Sequence, residues 1–145
     1  YSRRRRASLF PSRGKVCSMT FDKNYSVSAN EEKEFIVAYL EASLWTATDD
    51  YGICLDEKYQ SAHFSEEAVA DAVRECLDFI DCNIELLHGL DPGQCGHDFS
   101  LTRNGHGAGF WDRGYGKVGD ELTAVTKPYG ETNVYVGDDN LLYFE

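Results

Sequence analysis

The stretch from Gly96 to Gly116 constrains this chain more than any other. It reads G-H-D-F-S-L-T-R-N-G-H-G-A-G-F-W-D-R-G-Y-G and holds two of the four His, one of the two Trp and six of the 13 Gly. Two runs of alternating apolar character, Asp98 to Arg103 and Ala108 to Asp112, flank Asn104-Gly105-His106-Gly107. Asn and Gly tolerate the φ > 0 that a type I′ turn requires, so this pattern predicts a β-hairpin. His106 would sit at its tip, with His97, Asp98, Arg103, Asp112 and Arg113 displayed on its strands. Phe99, Leu101 and Phe110 would face the core together with Val134, since period two puts alternate residues on one side.

A chain of 145 residues is long enough to bury a core of its own. Its 42% hydrophobic and 13% aromatic content is that of a folded protein. No apolar run approaches the roughly 20 residues of a membrane-spanning helix. The net charge of −11 hides an asymmetry. Residues 1–18 carry Arg3, Arg4, Arg5, Arg6, Arg13 and Lys15 and no acid, which leaves 8 basic and 25 acidic residues in 19–145, a net of −17. A body of that charge repels nucleic acid and anionic lipid and attracts basic protein surfaces. Direct nucleic-acid binding by 19–145 and a membrane partner are therefore not expected.

Residues 1–18 read as a basic disordered arm or an upstream extension, with Met19, the one Met, as the native start. Residues 19–145 read as a single α+β domain. The five Cys form no C-x-x-C pair and no zinc spacing, and their odd count without a secretory apolar segment argues for reduced thiols in a cytoplasm. Cys76 lies in an apolar helical pattern and reads as buried.

Along the chain, Ser28 and Glu31 have capping-box spacing, and Ile36, Tyr39, Leu40, Ser43, Leu44 and Ala47 make an apolar helical face. Trp45 reads as a core anchor. Asp49 to His63 is an acidic loop whose order of acids does not match a calcium loop. A second helix starts at Ser65, shows a stripe of Val69, Val73, Leu77, Ile80, Ile84 and Leu87, and stops at His88-Gly89. Its acids Asp71, Glu75, Asp78 and Glu85 would form an exposed acidic surface. Asp91-Pro92-Gly93 reads as a turn into the hairpin. A short third helix follows with Val118, Leu122 and Val125, ended by Lys127 before Pro128. Asn133 to Gly137 and Leu141 to Phe144 read as strands. The expected architecture is a small antiparallel sheet, the hairpin plus one or two C-terminal strands, packed by two longer helices and one short one.

The order E-x-x-x-W-T-A-T-D-D, then G-H-D-F-S-L-T-R-N-G-H-G-A-G-F-W-D-R-G, then Y-V-G-D-D-N-L-L-Y resembles a family of small uncharacterised proteins of tailed bacteriophages, from about Met19 to the end. The resemblance implies a phage origin and the cytoplasm of an infected bacterium. It carries over no catalytic residue.

Two functions follow as expectations. The first is a protein-binding modulator of a basic host or phage factor, using the acidic surface or the loop residues Asn104, His106, Trp111 and Arg113. DNA mimicry or inhibition of a defence system is a sharper form of it. The alternative is a small enzyme in which His97 or His106 is the base, Asp98 or Asp112 orients it, and Arg103 or Arg113 holds an anion. A plainer reading pairs Asp98 and Asp112 with those arginines. A metal site from His97, Asp98, His106 and Asp112 matches no known spacing, and Gly105, Gly107 and Gly109 lack the rest of a phosphate-binding loop, so no metal and no cofactor are expected.

Overall fold

The computed structural model describes residues 27–145. The basic arm at 1–18 and the start at Met19 lie outside the described residues. Among the described residues there are five α-helices: α1 Ala29–Trp45, α2 Glu66–Cys82, α3 Ile84–Leu87, α4 Pro92–Arg103 and α5 Lys117–Thr126. Strands β1 Val134–Val136 and β2 Leu142–Phe144 pair antiparallel, with Val134 opposite Phe144 and Val136 opposite Leu142. The α+β class with a small antiparallel sheet is the one observed, but the hairpin contributes nothing to that sheet.

The caps read from the sequence are in place. The Ser28 hydroxyl accepts from the Glu31 amide, and the Glu31 carboxylate accepts from the Ser28 amide. The Ser65 hydroxyl accepts from the Ala68 amide. α5 ends at Thr126, where a 3-10 turn Lys127–Tyr129 takes over at Pro128. The second helix is shorter than its stripe suggests. Asn83, at φ −128° and ψ 29°, breaks it, and the Asn83 amide donates to the Phe79 carbonyl, so Ile84 begins a separate turn of helix.

The main correction is the hairpin. Asp98 to Arg103, its expected first strand, is the second half of α4, and Ala108 to Asp112 is a loop closed by a 3-10 turn at Phe110–Asp112. Asp91 is the N-cap, its carboxylate accepting from the Gln94 amide at 2.8 Å, and Pro92 takes the first helical turn, where a missing N–H costs nothing. At the other end Gly105 has φ +69°, its amide donates to Thr102, and the His106 amide donates to Leu101. These two bonds make a Schellman cap. Asn-Gly therefore meets the same demand for φ > 0 that a hairpin would make, at the end of a helix.

α4 lies at the centre. Gly96 lets it close against α1, because a β-carbon there would run into the Phe35 carbonyl. Phe35, Tyr39, Phe79, Phe99, Phe110, Tyr129 and Phe144 form an aromatic core, with Phe79 and Phe99 stacked at 4.2 Å. Such pairs contribute about 0.5–1.5 kcal/mol each beyond their buried area. Phe99, Leu101, Phe110 and Val134 are all buried as expected, although by a helix, a loop and one strand.

Candidate functional site

α4 is covered on most sides, so most of its polar residues are interior groups with partners inside the fold. Arg103 is 5% exposed. It donates to Glu75 Oε1 at 2.6 Å, to the Tyr39 hydroxyl at 2.9 Å, and to the carbonyls of Tyr129 and Gly130 at 2.9 and 2.8 Å. Its guanidinium also lies over the Phe99 and Tyr129 rings. Burial opposes the Arg103 charge, but Tyr39 and Glu75 outweigh it and raise its pKa; burial pushes the Tyr39 hydroxyl up as well. Four of the five N–H donors of Arg103 are used inside the fold, and the anion it holds is the Glu75 carboxylate.

Asp98, fully buried, accepts from Arg113 Nε and Nη2 at 3.0 and 2.8 Å and from Gln94 at 3.0 Å. The plain pairing with Arg113 is thus found, between a helix and a loop. The bond to Asp98 holds the Arg113 guanidinium above its usual range against the pull of burial. His97 Nδ1 is 3.9 Å from Asp98 Oδ1, too far for Asp98 to orient it, and has no hydrogen-bond partner. Asp112 is exposed, and His106 follows the α4 cap. Asp98 and Arg103 point into different environments five positions apart on one helix. Of the six residues of the enzyme reading, Asp98 bonds Arg113 and lies 3.9 Å from His97, whereas Arg103 is committed to Glu75 and Tyr39.

Asn104 is a strut: its amide donates to the Ser100 carbonyl and its oxygen accepts from the Thr132 amide at 2.8 Å. Trp111 is 42% exposed, next to half-buried Arg113. Trp45 corrects the core-anchor reading, being 54% exposed at the end of α1, where its ring packs on His97 at 5.8 Å.

The acidic surface expected on α2 and α3 is mostly not a surface. Asp71 and Glu75 are buried, on the inner face with Ala68, Ala72, Cys76 and Phe79. Asp71 pairs with Arg74, and half-buried Asp78 accepts from the Tyr129 hydroxyl at 2.5 Å. Glu85 is exposed as expected. The buried face is turned from the Val73–Leu77 stripe toward these small residues, which let α2 approach the core closely. The recurrence of Ala68, Ala72, Cys76 and Phe79 was the sequence signal for it.

Burial raises the Cys76 thiol, and burial with nearby Asp98 and Asp91 pushes Cys95 up to about 12. Both are inert interior groups. Among the described residues Cys54, Cys76 and Cys95 are free thiols. Among the described residues no cluster of His, Cys, Asp and Glu could hold a metal ion, and no helix is long and apolar enough to cross a membrane. Compared with protein families, curated proteins and solved structures, the chain matches none.

Proposed function

We propose that this protein works by binding a basic partner protein, as a modulator of a host or phage factor in the bacterial cytoplasm. One observation carries the reading. Among the described residues 18 of 24 Asp and Glu are exposed, against five exposed Lys or Arg, so the charge excess survives after the fold has consumed its internal ion pairs. Such a field speeds encounter with basic surfaces and suppresses encounter with nucleic acid. The resemblance to phage proteins fits a small modulator of this kind. DNA mimicry by the four α2 and α3 carboxylates loses its support, since Asp71 and Glu75 are inside.

The test is capture from a bacterial lysate followed by association kinetics with the purified captured protein. Raising salt from 0.05 to 0.5 M contracts the Debye length from roughly 14 to 4 Å and should slow association strongly. Neutralising Asp81, Glu85, Asp120 and Glu121 together should slow it as well, whereas His106→Ala should leave it unchanged. Salt-insensitive association, or a dependence on His106 instead of the carboxylates, overturns the proposal.

A further inference from the structure

The outer face of α1 adds a feature that overall charge does not explain. Glu34, Val37, Glu41 and Trp45 recur at three- and four-residue spacing, which places them on one face of the helix. All four are exposed, Val37 to 38% and Trp45 to 54%. Neither Glu34 nor Glu41 has an ion-pair partner among the described residues. The last turn of α1 contains no basic residue to offset its negative carbonyl end, and exposed Asp50 follows shortly after. Lys33 is the one basic residue within α1 itself, in its N-terminal part.

We infer that this face is the docking site for an arginine-bearing segment of the basic partner, with a guanidinium stacked on Trp45 and held by Glu41. The inference rests on the binding reading above and adds its location and chemistry. Charge complementarity selects a cation. The aromatic ring selects arginine over lysine, because a guanidinium is planar, weakly hydrated and stacks on an indole while an ammonium is a compact hydrated charge. His97 supports one side of the Trp45 ring, which fixes the ring in place and lowers the entropy lost on stacking. Val37 supplies apolar contact for the stem of the same or a neighbouring side chain.

The full chain carrying Trp111→Phe leaves Trp45 as the one indole and can be titrated with hexa-arginine and hexa-lysine peptides at 0.05 M salt. Hexa-arginine should change Trp45 emission and bind about two- to fivefold more tightly than hexa-lysine, the range of an exposed cation–π contact. Calorimetry on Trp45→Ala should show hexa-arginine binding reduced to the hexa-lysine level, with circular dichroism unchanged because the side chain is mostly outside the core. Glu41→Gln should weaken both peptides while leaving Trp111→Phe fluorescence responsive. If both peptides bind equally and Trp45→Ala changes neither, this face is not the site, although the acidic binding reading stands. If neither peptide binds at all, both proposals fall. Self-association abolished by Trp45→Ala would assign the face to the arginine run of a second copy and overturn the partner proposed here.

Discussion

Arg103 shows how much one interior charge can organise. It joins α4 to Glu75 on α2, Tyr39 on α1 and the carbonyls that follow α5, so four parts of the chain meet on one guanidinium. Truncating it leaves Glu75 buried without its counter-charge and two carbonyls without donors. Arg103→Ala should therefore cost about 3–5 kcal/mol, the range for breaking a buried pair. Glu75→Leu with Arg103→Met should cost less than the two single changes summed, because the partners are coupled. Chemical unfolding of the four proteins measures both; additive losses would mean that the pair does not act as a unit. Asp98 with Arg113 has the same logic at the edge of the core. The residues that first suggested chemistry are mostly those that hold α4 in place.

At the scale of the element, α4 is set by its two ends. Asp91 and Pro92 start it and Gly105 stops it in the left-handed region. A β-carbon at Gly105 meets no neighbour, so the cost of Gly105→Ala is conformational. It should be about 1–2 kcal/mol, the penalty of the left-handed conformation for an L-residue. Gly107, two positions on, also has open space but no positive φ. Gly107→Ala should be close to neutral on thermal unfolding, which separates a helix cap from a hairpin tip spread over both glycines. Equal losses at the two sites would contradict the cap. The break at Asn83 is an element-scale feature of the same kind, since it redirects Ile84 into the core after α2 has ended.

For the whole molecule, the same carboxylate excess that would attract a partner opposes folding. Burial, then the neighbouring Asp78, raises the Asp81 pKa; burial, then Asp81, raises that of Glu32. A carboxylate with a raised folded pKa lowers stability above that pKa and ceases to do so once pH falls below its unfolded value, near 4. Asp81→Asn should thus raise the melting temperature at pH 7 and lose that advantage in acid. Added salt at pH 7 should also stabilise the native chain by screening its self-repulsion. Scanning calorimetry across pH and salt checks both; a lower melting temperature for Asp81→Asn at pH 7 would show that its charge is favourably paired.

Local chemistry determined much of the chain. The caps at Ser28 and Ser65, the stop before Pro128 and the two C-terminal strands depend on neighbours within a few residues, so they are legible in sequence. The acidic excess is legible too, being a sum over residues. Only the tertiary structure decided the central element and the candidate site. Asn104-Gly105 states a need for positive φ, which a hairpin and a Schellman cap satisfy equally well. α4 is covered on most sides, so little solvent-facing surface marks the helical period, and its interior polar groups imitate the alternation of a strand. Whether Glu75 lies outside or inside depends on Arg103, 28 positions later, and whether Trp45 anchors a core or a surface depends on where α4 brings His97. Those outcomes rest on long-range pairing, and the spacing of residues along the chain does not encode it locally.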